Sequence, residues 1–180
     1  MKRILIIGHA RHGKDTVAEM LHELYGYTFE SSSVAAARIF LFDRLKAKYG
    51  YKSFWECFED RVNRRAEWHD AICDYNRLDK AQLAKDILAG SDMYVGMRSN
   101  AEVEECLHQE LFDFIIGVYD YRKPEEDKSS FDINIWEKSD IVIPNSEGLT
   151  ELKERLKRLC NIFKQMPYEH QTKEEIIRRD

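Results

Sequence analysis

The sequence predicts an α/β protein whose parallel sheet is covered by helices on both faces. Short apolar runs without strict alternation recur at residues 4–7, 93–97, 114–118 and 141–143, as expected of strands buried from both sides. Segments with helical periodicity alternate with them, which is the rhythm of a parallel sheet with crossover helices. The first run also ends in a glycine-rich turn that leads into an amphipathic stretch, a strand-to-helix junction at the start of the chain.

In chain order, the first strand (4–7) is followed by a helix over 16–24, and a short extended piece at 27–30 is the weakest strand of the set. Helical periodicity then covers 34–48, 54–60, 64–75 and 80–88 before the strand at 93–97. A helix over 101–109, the strand at 114–118, the strand at 141–143 and a helix over 149–163 complete the pattern. Ser31-Ser32-Ser33 precedes the 34–48 segment, where a serine side chain can cap free N–H groups. Residues 34–88 interrupt the strand–helix rhythm with densely mixed charges and aromatics, the signature of an inserted arm or lid. The polar tail after Met166 is expected to dock as a last helix or to fray.

At 180 residues and 43% hydrophobic, the chain is expected to form one domain around a sizeable core. A formal charge of −5 argues against a generally basic, nucleic-acid-coating surface and suits small anionic ligands better, while leaving room for a local basic groove. Cys57, Cys73, Cys106 and Cys160 are widely separated, so reduced, buried thiols are expected rather than a zinc site or a disulfide framework. The apolar run after Lys2-Arg3 is too short for a secretory or membrane segment, and a soluble, cytoplasmic protein without membrane contact is expected.

The run Gly8-His9-Ala10-Arg11-His12-Gly13-Lys14-Asp15-Thr16 carries the most chemistry. Gly8 and Gly13 let the backbone wrap a polyphosphate, so that N–H groups from Ala10, Arg11, His12 and the helix N-terminus face the negative charge. Lys14 would reach the terminal phosphates of a nucleoside triphosphate. Where such loops have Ser or Thr after the lysine to hold Mg²⁺, this chain has Asp15, with Thr16 next. Asp15 can serve Mg²⁺ directly or through water; the plainer alternative is that it complements the helix dipole.

These residues, the helical insert, Tyr94-Val95-Gly96-Met97-Arg98, and Ser139-Asp140-Ile141-Val142-Ile143-Pro144-Asn145 before a final helix together resemble the P-loop nucleoside monophosphate kinases, closest to the phage-type deoxynucleoside monophosphate kinases. The resemblance implies a three-layer P-loop NTPase fold with roughly five parallel strands. It further implies a core at about 1–33 and 90–165, a helical substrate-binding insert at about 34–89 and a lid at about 120–132. ATP and Mg²⁺ are the implied cofactors, and a small-molecule nucleotide is the implied acceptor.

Arg98 lies at the carboxyl end of an inner strand, where open α/β sheets bind ligands, and its fork can hold a phosphate. In the kinases that the chain resembles, an arginine there grips the acceptor phosphate; the plain alternative is a surface turn residue. No acid stands at this strand end to orient magnesium-bound water. Ser33 and Arg38 open the insert, and Arg38 would approach the acceptor phosphate unless it is simply solvated. In the 61–72 segment, Arg61, Arg65 and His69 share a helical face suited to a phosphate or base, and Asp70 could position an acceptor hydroxyl. The same segment also reads as a charge-laced exposed helix.

The loop Tyr119-Asp120-Tyr121-Arg122-Lys123-Pro124-Glu125-Glu126-Asp127-Lys128-Ser129-Ser130 reads either as a lid, with Arg122, Lys123 or Lys128 neutralising charge on the transferred group, or as a solvated connector. Asn145 stands where related kinases contact adenine through loop atoms. The leading expectation is therefore ATP-dependent phosphorylation of a (deoxy)nucleoside monophosphate, with Lys14, Arg98, Arg122 and Asp70 as the reacting-centre residues. The first alternative is a hydroxyl acceptor, on a modified base in DNA or on a metabolite such as dephospho-coenzyme A. Arg61, Arg64, Arg65 and Trp68 motivate the nucleic-acid version, and the acidic net charge opposes it. A nucleotide-gated switch lacks an Asn-Lys-x-Asp guanine motif. The aromatics Phe54, Trp55, Phe58 and Trp68 belong either to a core or to a homodimer face.

Overall fold

The computed structural model describes residues 1–165. Five strands form one sheet in the order β2-β3-β1-β4-β5, and every neighbouring pair is parallel. They are β1 (Ile4–Ile7), β2 (Phe29–Ser31), β3 (Met93–Val95), β4 (Phe114–Tyr119) and β5 (Ile141–Pro144). β1 lies at the centre, with Ile4 opposite Met93 on one side and Phe114 on the other.

The unbroken apolar run of β1 has a direct cause, because alternate side chains enter two different cores. Ile4 and Ile6 pack with Val17 and Leu21 of α1 (Lys14–Tyr25) and with Leu152 and Leu156 of α9 (Leu149–Gln165). Leu5 and Ile7 pack with Leu83 and Ile87 of α6 (Gln82–Leu88) and Val103 of α7 (Asn100–His108). All four β1 residues are fully buried.

Between β2 and β3 the chain builds α2 (Ser32–Ala36), α3 (Phe42–Tyr49), α4 (Phe54–Asp60), α5 (Arg65–Tyr75) and α6. A third cluster is centred there on Leu41, Leu45, Cys57 and Trp68, with Phe54 and Phe58 packed against it, so these aromatics serve a core. Trp55 alone of the four stays exposed. Ser31 caps α2, its hydroxyl accepting from Val34 N at 3.3 Å. The helix expected over 34–48 is present but contains a π-type turn at Ala37–Leu41.

Several boundaries differ from expectation. β2 begins at Phe29 rather than at 27, because the Asp92 carboxylate accepts from Thr28 N and Oγ1 and fastens the backbone before the strand. β3 stops at Val95, where Gly96 turns to φ 93°. The short α8 (Ile135–Lys138), capped by Asn134, has too few residues for a periodic signal. Cys57, Cys106 and Cys160 are buried as expected, whereas Cys73 is exposed on α5; none of the four forms a disulfide. Among the described residues no helix is long and apolar enough to cross a membrane. The expectation for the tail after Met166 lies outside the described residues.

One buried polar pair ties the helices beside β3 together. Asn76 Oδ1 accepts from Leu83 N at 3.0 Å, and its Nδ2 donates to Glu102 Oε1 at 2.8 Å. Burial raises the Glu102 carboxyl above its usual range, and the Asn76 bond partly opposes that shift. Asn76→Ala orphans a buried N–H and a buried carboxyl at once. It is expected to cost about 2–4 kcal/mol in urea denaturation, where a loss below about 0.5 kcal/mol would contradict this role.

Candidate functional site

The loop after β1 is shaped by close backbone approaches. Gly8, at φ 149°, lies so near the Val118 carbonyl of β4 that a Cβ there would overlap it. Gly13 adopts φ 98° as the N-cap of α1, and a Cβ would strike Asn145 Nδ2. Arg11 takes the left-handed conformation at φ 64°, a cost for a non-glycine residue that turns successive N–H groups inward. Asn145 Nδ2 donates to His12 O at 3.1 Å, so its side chain braces the loop.

Two histidines fasten this loop to the segment after β4. His12 is fully buried; its Nδ1 accepts from Asp120 N at 3.1 Å, and its Nε2 faces Pro124 O at 3.2 Å. That pattern fits the neutral ring protonated on Nε2. His9 Nδ1 accepts from Glu126 N at 3.1 Å, and burial lowers the pKa of His9. The rings of His9 and Phe131 lie 4.5 Å apart and close the strap from the other end.

The charged groups converge on the same loop. Lys14 Nζ donates to His9 O at 2.7 Å, and burial together with the nearby Arg98 lowers its pKa to about 8. Arg98, just past β3, donates to Glu126 Oε1 at 2.7 Å. The other oxygen, Oε2, accepts from Ala10 N at 2.6 Å. Although burial opposes ionisation, Arg98 and the Ala10 N–H hold the Glu126 carboxyl below its usual range. The acidic group seated on the glycine loop was the main feature missed in the sequence, where only the acid pair after Pro124 hinted at it.

A cleft of about 1020 Å³ runs from this cradle to the helices between β2 and β3. Of the expected residues, Ala10, Arg11, Lys14, Asp15, Ser33 and Arg98 line it. So do Arg61, Arg65, His69 and Asp70, at the far end. Arg61 stacks over Phe58 with its guanidinium carbon 3.8 Å from the ring centroid. Asp70 is largely solvent-exposed beside His69, 3.3 Å from its Nδ1. Trp68 also lines the cleft, and its buried indole N–H has no partner among the described residues.

Other expected residues stand apart. Gly8, His12, Gly13 and Thr16 shape or follow the loop without lining the cleft. Arg38 is engaged by Glu30, donating from Nε and Nη2 at 3.0 and 2.8 Å, and does not line the cleft. Arg122 is likewise turned away. It clamps Asp120 with Nε and Nη2 at 2.8 and 2.9 Å and reaches Asn145 O at 3.1 Å. This pairing holds the Asp120 carboxyl well below the usual carboxylate range.

Among the described residues no group of three or more acids, histidines or cysteines is arranged to hold a metal. Asp15, which lines the cleft without a hydrogen-bond partner among these residues, is a hard oxygen donor suited to Mg²⁺ that keeps most of its waters.

With the Lys14 pKa lowered to about 8 by burial and the nearby Arg98, an anion seated against this ammonium is expected to bind more weakly above that pH. ADP affinity is expected to weaken above that pH by about tenfold per unit, and Lys14→Arg should remove the inflection. Calorimetric titration between pH 6.5 and 9.5, on the order of one decade per unit, checks this; a flat profile for the unmodified protein would contradict it.

No protein-family model and no curated protein matches the sequence. Among solved structures, the chain is similar to TT1252 from Thermus thermophilus, with a TM-score of 0.51 at 15% identity over 93% of this chain and 98% of that one. Shikimate kinase from Bacteroides thetaiotaomicron aligns with a TM-score of 0.48 at 10% identity, covering 91% of this chain and 98% of that one. Dephospho-CoA kinase from Campylobacter jejuni aligns at 0.44 and 14%, covering 91% and 98%. The all-parallel order, the glycine loop after the central strand and the full-length match to TT1252 identify the three-layer P-loop NTPase fold.

Proposed function

We propose that the protein is an ATP-dependent phosphotransferase whose acceptor is a (deoxy)nucleoside monophosphate. The observation that carries this reading is one continuous cleft with cations at both ends. Lys14 and Arg98 stand at the phosphate loop, and Arg61 and Arg65 stand at the other end. Arg61 donates to the Phe58 carbonyl at 2.8 Å and stacks over the Phe58 ring, which positions its guanidinium at that end of the cleft.

In this reading the triphosphate lies along the Gly8–Gly13 loop, where backbone N–H groups hold the phosphate oxygens. Lys14 and Arg98 flank the moving phosphoryl group and neutralise the charge it spreads over its oxygens. Arg98 also meets the acceptor phosphate, while Arg61 and Arg65 fix the rest of the acceptor and Trp68 with Phe58 bounds it. Asp15 would hold Mg²⁺ through its carboxylate, and the ion would supply charge neutralisation at the phosphates. Asp70 would orient an acceptor group, and Arg122 would contribute only after releasing Asp120. Catalysis is then positioning plus charge neutralisation, with little covalent work for the protein.

A hydroxyl acceptor is a second reading, favoured by the acids Glu30, Asp70, Glu102 and Asp132 that line the same cleft. Carboxylates repel a dianionic phosphate and accept from a hydroxyl. Dephospho-coenzyme A and a modified base in DNA are acceptors of this class. Deoxynucleotide metabolism and a cytoplasmic location belong to the first reading, and self-association through exposed Trp55 is compatible with either.

A coupled ADP-release assay with ATP and Mg²⁺ across ribo- and deoxynucleoside monophosphates separates the two. Turnover of one or a few monophosphates is expected. Lys14→Ala and Arg98→Ala should each lower it by about 10²–10³-fold, and Arg122→Ala by less, because its side chain is committed to Asp120. Silence across the panel with ATP binding intact would overturn the monophosphate acceptor and transfer the test to hydroxyl compounds.

A further inference from the structure

The phosphate cradle is already holding an anion that belongs to the chain itself. Glu126 Oε2 takes the Ala10 N–H at 2.6 Å, and Oε1 takes Arg98 at 2.7 Å. The carboxylate thus sits on a donor of the glycine loop and on the arginine at the end of β3, two groups that a bound triphosphate would require. Its side chain is only 16% exposed, so this is a seated group and not a passing surface contact. The backbone around it is fastened independently, by Glu126 N donating to His9 Nδ1 and by Pro124 O facing His12 Nε2. Arg98 Nη1 further reaches Ser130 O at 3.3 Å, which ties the far side of the same segment.

We propose that Glu126 is a specificity-determining residue of the donor site: a built-in competitor that keeps single-phosphate anions out of the cradle and yields only to a polyphosphate. This inference rests on the reading of the glycine loop as a triphosphate site. Ala10 N–H has one hydrogen and cannot serve the carboxylate and a phosphate oxygen together. An entering ligand must therefore replace both Glu126 contacts before it gains anything. A lone phosphate offers about the same charge-assisted bonds as the carboxylate it displaces, with no surplus. A triphosphate adds contacts along the whole loop, to Lys14 and to the α1 N-terminus, and the surplus drives Glu126 out. The acceptor monophosphate, which must enter the same cleft, is thereby directed past the cradle to its other end.

Displacement also releases Arg98. In the nucleotide-free state its Nη1 is held by Glu126 and Ser130, and once Glu126 leaves, that hydrogen is available to the transferring group. Donor binding then prepares the residue that the acceptor needs, which links the two halves of the reaction through one side chain.

The test uses the full chain and two probes, orthophosphate and tripolyphosphate, titrated calorimetrically into the unmodified protein, Glu126→Gln and Glu126→Ala, with folding checked by thermal denaturation. The expected result is orthophosphate binding strengthened by about tenfold or more in both variants, and a smaller gain for tripolyphosphate. Unchanged or weaker orthophosphate binding in both variants, with tripolyphosphate binding intact and lost in Lys14→Ala, would overturn the competitor and leave the triphosphate site standing. Absence of tripolyphosphate binding from the unmodified protein and both variants would overturn both.

Discussion

The close approach of Gly8 to the Val118 carbonyl is the contact on which the rest of the site depends. β1 is buried on both faces and flanked on both edges, so it can leave the sheet only at its carboxyl end. There the chain must turn under the end of β4, and only a residue without a side chain fits. That turn sets the start of the loop, the left-handed geometry at Arg11 and Gly13, and the position of Lys14 at the head of α1. A cradle made of backbone is rigid because the sheet beneath it is rigid.

Electrostatics explains the rest of the arrangement. The loop, Lys14 and Arg98 concentrate positive potential in a partly buried place, and such a concentration is unfavourable unless something answers it. The chain itself supplies two answers. Lys14 bends back to the His9 carbonyl, and Glu126 crosses from the other side of the cleft. At the base of the same loop Asp120 and Arg122 satisfy each other, which leaves Arg122 outside the cleft.

What could be read in advance was local. The β1 run, the glycine spacing and Lys14 lie within a dozen residues, and their pattern follows from sheet burial and phosphate geometry. The strands at 114–118 and 141–143 were legible for the same reason, and the third helix group showed as a break in rhythm. Contacts between distant residues were not legible. Ala10 and Glu126 are 116 positions apart, and nothing near either residue names the other. Asn76 and Glu102 pair across 26 positions with no periodic signature. The pairings of Arg38 and Arg122 were not legible either, because an arginine is silent about the acid that meets it, although Asp120 stood only two residues before Arg122.

The helices between β2 and β3 have a cluster of their own, which meets the sheet-side core through shared residues such as Phe40 and Ile72. Most side chains at the far end of the cleft come from this unit, whereas the glycine loop is set by the central strands. A substitution in the first group leaves the second unstrained, provided the shared seam survives. The helical end of the cleft can therefore change shape and charge while the glycine turn keeps its own.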